Sequence, residues 1–166
     1  MKHRNGFTLV ELMIVIFLLA FVSAIGGLAL QNYTLNRNLR TAARDIASDF
    51  AICKERAISE NITYQIAFNT PAVGSYTIQS VVNPGWVVTN LTTKSPASFG
   101  SGITIVSATF GGASPTVRFN PRGTVSDPGG GQLVGGDGVV LQNSRNSQAT
   151  ITVNLTGRTY VTFNII

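Results

Sequence analysis

The sequence predicts an α+β fold in which one long N-terminal helix packs on an antiparallel β-sheet. Three observations carry this expectation. An apolar run near the start passes into an amphipathic one with no proline before Pro71. After Asn61 the chain turns to β-branched and aromatic segments separated by turn residues. A sheet must bury one face, and the apolar stripe of the amphipathic stretch is the obvious partner for it.

Each element can be justified in order. Residues 1–6 (Met-Lys-His-Arg-Asn-Gly) form a short basic leader. Between Arg4 and Arg37 the only charged side chain is Glu11. The uncharged stretch 12–30 has 19 residues, long enough to cross a hydrocarbon core and too long for the apolar part of a secretory signal peptide. Leu35, Leu39, Ala42, Ala43, Ile46, Phe50, Cys53, Ala57 and Ile58 then recur at spacings of three and four. Charged residues, Asp45 and Asp49 among them, fill the positions between, which describes a helix with one apolar stripe and a charged back. A single helix is expected from residue 8 to residue 60, about 80 Å long, with Asn61 as its stop and Gly26-Gly27 as a place where it can bend.

Strands are expected at 63–68, 76–82, 86–89, 103–110, 116–120, 139–142, 150–154 and 159–164. Pro121-Arg122-Gly123 and Thr156-Gly157-Arg158 read as hairpin turns. Residues 127–138, with six glycines and one proline, read as a surface loop. The domain organisation that follows is a leader at 1–6, a transmembrane half-helix at 7–30, an amphipathic half-helix at 31–60 and a β domain at 61–166.

Composition narrows the function classes. Of the 166 residues 44% are hydrophobic and only 11% charged, where about a quarter is usual for a soluble domain. The formal charge is +5, but without Lys2 and Arg4 ten basic and seven acidic side chains remain. That modest excess allows contact with anionic lipid or DNA and requires neither. Cys53 is the sole cysteine and His3 the sole histidine, a poor basis for a disulfide, a zinc site or a histidine-based triad. Hydroxyls are plentiful, but no histidine or lysine is arranged to activate one. The sequence therefore predicts no enzyme, no cofactor and no metal. Asp127 and Asp137 flank the glycine-rich loop, yet their spacing and ligand count do not match a calcium loop, so a structural turn is expected. Cys53 is expected in the core and Trp86 as a packed aromatic.

The segment Asn5-Gly6-Phe7-Thr8-Leu9-Val10-Glu11-Leu12 resembles the N-terminal signature of type IV prepilins and the related pseudopilins. That family's pattern is a basic leader ending in glycine, then phenylalanine, an apolar set, and glutamate fifth in the mature chain. The resemblance implies a pilin fold, cleavage by prepilin peptidase after Gly6 and N-methylation of Phe7. It also implies that Glu11 serves assembly with other pilin or pseudopilin subunits. A lone carboxylate in hydrocarbon costs about 2.5–3.5 kcal/mol even on the lenient insertion scale, so Glu11 needs a partner. The Phe7 amine is the nearest; the family's pairing is with the neighbouring subunit, while the four-residue spacing also permits one within the chain. Lys2 and Arg4 on one side and Arg37, Arg40 and Arg44 on the other leave the topology open by charge counting. The resemblance implies an inner-membrane protein with its C-terminal domain in the periplasm.

A second resemblance covers much of the remainder. Ala47-Ser48-Asp49-Phe50-Ala51, the helix end Arg56-Ala57-Ile58-Ser59-Glu60-Asn61, the stretch from Val117 to Gly123 and the late Gly157-Arg158 are similar to the GspH/FimT-like minor pseudopilins. Lack of a disulfide-closed C-terminal loop and of a proline in the membrane helix favours a minor over a major subunit. The resemblance leaves pilus and type II secretion machinery both open. FimT-like uptake pilins carry Gly-Arg-x-Arg near the C-terminus, whereas this chain reads Gly157-Arg158-Thr159-Tyr160. Arg158 is the possible DNA contact, and Arg118, Arg122 and Arg145 compensate for the missing arginine only if the sheet gathers them. With Tyr160 expected in the sheet's packing, DNA binding is expected to be weak, micromolar or poorer near physiological salt.

Overall fold

The computed structural model describes residues 8–134 and 136–166, leaving aside the side chains of residues 24–30 and 32. Gly6 and Phe7 therefore lie outside the described residues. One helix, α1 (Leu9–Glu60), is followed by nine strands: β1 (Thr63–Phe68), β2 (Tyr76–Val82), β3 (Val87–Lys94), β4 (Thr104–Thr109), β5 (Thr116–Phe119), β6 (Val125–Ser126), β7 (Gly138–Gln142), β8 (Gln148–Val153) and β9 (Thr159–Asn164). A short 3-10 turn (Pro96–Phe99) joins β3 to β4. Asn61, with φ of 53°, ends α1 in the left-handed conformation that asparagine tolerates at a helix C-terminus.

The chain divides into two compact units, Met1–Thr34 and Leu35–Ile166. In the first, the described part of α1 exposes apolar side chains on every side: Leu9, Val10, Leu12 and Leu18, spread around the helix, are each more than half exposed. Among the described residues no helix is long and apolar enough to cross a membrane. The side chains of residues 24–30, part of the expected 12–30 span, lie outside the described ones.

The second unit holds the core. Its strands form two antiparallel sheets rather than the single one expected, in the orders β3-β2-β1-β5-β6 and β4-β7-β8-β9. Strands β1, β2 and β3 follow one another as hairpins, but β4 pairs with β7 and β5 returns to β1. That crossing is a long-range choice that local periodicity does not encode. β6, only two residues long, was not expected, and β3 runs five residues beyond the expected 86–89.

The α1 stripe seats on both sheets. Leu39, Ala42, Ala43, Ile46, Phe50, Cys53 and Ala57 are all essentially inaccessible. Phe50 is the centre: its ring lies 6.2 Å from Phe68 and 5.7 Å from Phe119 of the first sheet, and 6.3 Å from Phe110 at the end of β4. These edge-on and tilted pairs join helix and both sheets in one cluster. Ile58 corrects the expectation. It is 51% exposed at the edge of the stripe, beside the β5–β6 turn, where a Cβ on Gly123 would lie 3.4 Å from its Cδ1.

Both expected hairpin turns form. Asn120 N–H donates to Thr124 O at 2.9 Å, and Asn154 N–H donates to Arg158 O at 3.0 Å. Gly157 is required by a φ of +73°, and the Lys54 side chain packs against it.

Candidate functional site

The described N-terminal end of α1 is built around Thr8 and Glu11. The Glu11 N–H donates to Thr8 Oγ1 at 3.2 Å, and the Leu12 N–H to Thr8 O at 3.2 Å. Thr8-Leu9-Val10-Glu11 has the threonine-then-glutamate spacing of a helix N-cap, a signal in the sequence that a search for membrane spans passes over. Glu11 lies in the first turn, where a carboxylate is favoured by the positive end of the helix dipole. It is exposed and makes no ion pair among the described residues. A helix end that is apolar all round needs apolar surroundings.

The charged back of α1 is not uniformly solvated. Asp49, expected there, is 4% exposed. Lys94 Nζ, at the end of β3, donates to Asp49 Oδ1 at 2.8 Å and to Asp45 Oδ2 at 3.1 Å. The Tyr76 hydroxyl donates to Asp49 Oδ2 at 2.8 Å. Burial first, then the Asp49 carboxylate, pushes the Tyr76 hydroxyl far up. Burial alone would lower Lys94, but its bonds to Asp49 and Asp45 outweigh that and raise it. This cluster locks the helix to the edge of the first sheet. Lys94 is the only charged side chain between Glu60 and Arg118, a signal in the sequence that periodicity does not register.

Of Arg118, Arg122, Arg145 and Arg158, the fold brings two, Arg122 and Arg158, into turns that both border Lys54, and keeps the other two apart. Arg158 sits in the exposed β8–β9 turn with its guanidinium 5.4 Å from the Tyr160 ring centroid. Tyr160 is 46% exposed, so it is not part of the packing expected of it. Lys54 Nζ, in the same neighbourhood, donates to Thr156 O at 2.8 Å. Arg145 lies in the β7–β8 turn at the other end of β8, about 20 Å away for a six-residue strand. Arg122 occupies the β5–β6 turn.

Arg118 is buried on the outer face of the first sheet. Its Nε and Nη2 donate to Gln65 Oε1 at 3.2 and 3.0 Å, and Nη1 donates to Pro128 O at 3.0 Å. Trp86, expected to be packed away, is 57% exposed and stacks over this guanidinium at 4.7 Å. Beside it the glycine-rich loop folds on its two aspartates as a turn does. Asp127 Oδ1 accepts from Gly131 N–H, and Asp137 Oδ2 accepts from Gly111 and Val134 N–H at 2.9 and 2.8 Å. Among the described residues no group of three potential ligands could hold a metal.

Three comparisons bear on what such a chain is. Residues 1–27 match the model of the prokaryotic N-terminal methylation motif, and residues 42–157 match that of the type II transport protein GspH. The fold is similar to that of the minor pseudopilin EpsH from the type 2 secretion system of Vibrio cholerae. The TM-score there is 0.57 at 10% identity, over 76% of this chain and 97% of that one. It is also similar to the type IV minor pilin FimU of Pseudomonas aeruginosa, with a TM-score of 0.52 at 15% identity, over 78% of this chain and 92% of the other. At these identities the likeness concerns the fold. No curated protein sequence matches the chain.

Proposed function

We propose, from the premise that this chain belongs to the family of the type II transport protein GspH, that it is a minor pilin or pseudopilin. In this reading it is a structural subunit, anchored in the bacterial inner membrane by its N-terminal helix and assembled from there into a type IV pilus or a type II secretion pseudopilus. One juxtaposition carries the reading. The methylation motif of residues 1–27 opens the same helix whose far half supplies the core stripe of the GspH domain.

The roles follow from position. Prepilin peptidase removes residues 1–6 after Gly6, and the new amine on Phe7 is methylated. Residues 7–30 then form the membrane and filament-core half of the helix, residues 31–60 the amphipathic half, and residues 61–166 the periplasmic β domain. Glu11, in the first turn of the described helix, pairs with a Phe7 amine and so sets subunits in register as they leave the membrane. Mass spectrometry of the protein from a host with active peptidase tests this. The mature chain should begin at Phe7, and Gly6→Leu should leave the uncut precursor in the membrane. A wild-type chain that keeps Met1 sinks the assignment.

DNA binding for uptake is the second reading. It rests on Arg158, exposed in the β8–β9 turn close to Lys54. It ranks lower because Arg118 is held inside its own cleft and Arg145 lies at the far end of β8. Lys54, Arg122 and Arg158 together offer only a few phosphate contacts, and so a modest counterion release.

A further inference from the structure

We propose that the cleft floored by Arg118 is a binding site for a carboxylate side chain presented by a partner protein, a role separate from N-terminal processing and assembly. The cleft has a volume of about 530 Å³ and is lined by Trp86, Arg118, Ser126, Asp127, Pro128 and Leu155, among others.

Arg118 is 9% exposed, and its contacts are to the neutral oxygens of Gln65 and Pro128. No carboxylate among the described residues forms an ion pair with it. A guanidinium has five N–H donors, and three are used here, so one N–H on each terminal nitrogen remains. The Asp127 carboxylate acts on this cation through space without bonding to it, so a carboxylate on the free N–H groups adds a directly bonded charge and two acceptor oxygens.

The cation is also held in place in advance. Gln65 Nε2 donates to Gln79 Oε1 at 2.7 Å, and Gln79 Nε2 donates to Asn90 Oδ1 at 2.8 Å. These residues stand opposite one another in register across β5, β1, β2 and β3. The row fixes Gln65 Oε1 towards the guanidinium, so little ordering is left for a ligand to impose. The Trp86 ring shields one side.

The walls indicate a protein partner. Trp86 at 57% and Leu155 at 41% exposure place large apolar surface beside an arginine to which no described carboxylate is bonded. Exposed tryptophan next to arginine is the composition that dominates binding energy at protein interfaces. Asp127 decides between anions. Its Oδ1 already accepts from Gly131 N–H, and its charge opposes a dianionic phosphate more strongly than a single carboxylate.

Trp86 is the only tryptophan in the chain, so its fluorescence reports this cleft alone. The test titrates the full chain in detergent micelles with acetyl-Gly-Glu-Gly-amide, its Gln counterpart, acetate and inorganic phosphate. The Glu peptide should give a saturable change that weakens with added salt. The Gln peptide should bind at least about tenfold more weakly, the loss of one charge-assisted contact. Arg118→Gln should abolish the response. Should that variant fail to fold, Asp127→Asn keeps the acceptor for Gly131 and should tighten the Glu peptide severalfold. Equal binding of the Glu and Gln peptides, or no saturable response at millimolar peptide, overturns the site. Phosphate binding ahead of the Glu peptide overturns the carboxylate, and acetate binding as tightly overturns the peptide source.

Discussion

Replacing Cys53 by alanine tests how tightly the second half of α1 is seated on the two sheets. Cys53 is 1% exposed, and burial, followed by the nearby Asp49 carboxylate, pushes its thiol from 9.0 up to about 12. A group whose pKa is raised by folding contributes fully below its unfolded value, and that contribution is lost as pH rises from there towards the folded value. The window here runs from pH 9.0 to about 12. At about pH 10.5 the unfolded chain has released the proton and the folded chain has not, a loss of about 2 kcal/mol at 1.36 kcal/mol per unit. Cys53→Ala removes that loss and leaves a sulfur-sized cavity costing about 1 kcal/mol at neutral pH. The variant should therefore be about 1 kcal/mol less stable than wild type at neutral pH and about 1 kcal/mol more stable near pH 10.5. Urea unfolding followed by circular dichroism, on a reduced fragment starting at Gln31, measures both. Titration of Lys94 and the tyrosines is common to both proteins and cancels. If both lose equal stability between the two pH values, the thiol is not held in the apolar stripe and the reasoning fails.

Other outcomes are expected from the same geometry. Glu11→Ala should insert and be cleaved but enter filaments poorly, and a neutral variant incorporated as well as wild type removes the carboxylate pairing. The Gln31 fragment should be soluble and monomeric with a mixed helix and sheet spectrum, and Phe50→Ala should destabilise it by about 3–5 kcal/mol in urea; a cost under about 1 kcal/mol would mean the aromatic cluster is not the centre of the core. That fragment should bind DNA no better than micromolar near physiological salt, and submicromolar, salt-sensitive binding lost in Arg158→Ala would make uptake the leading function.

What the sequence determined by itself is what short-range periodicity and local turn chemistry encode. The helix ends where expected, the 3.6-residue stripe from Leu39 to Ala57 is the buried one, and β1, β2 and β9 match the expected bounds. Gly123 and Gly157 turn where their neighbours say they should. The signature from Asn5 to Leu12 lies in eight consecutive residues and needs no fold to be read. Only the tertiary structure decided the rest, because the partners are far apart in the chain. Asp49 looks like a solvated helix charge until β3 brings Lys94, 45 residues later, against it. Arg118 looks like a surface cation until β1 sets Gln65 opposite and the glycine-rich loop delivers the Pro128 carbonyl. The split into two sheets comes from β5 returning to β1 while β4 waits for β7. A residue's burial is set by whichever segment packs over it, and a period of two or 3.6 says which side faces in without saying what will cover the other side.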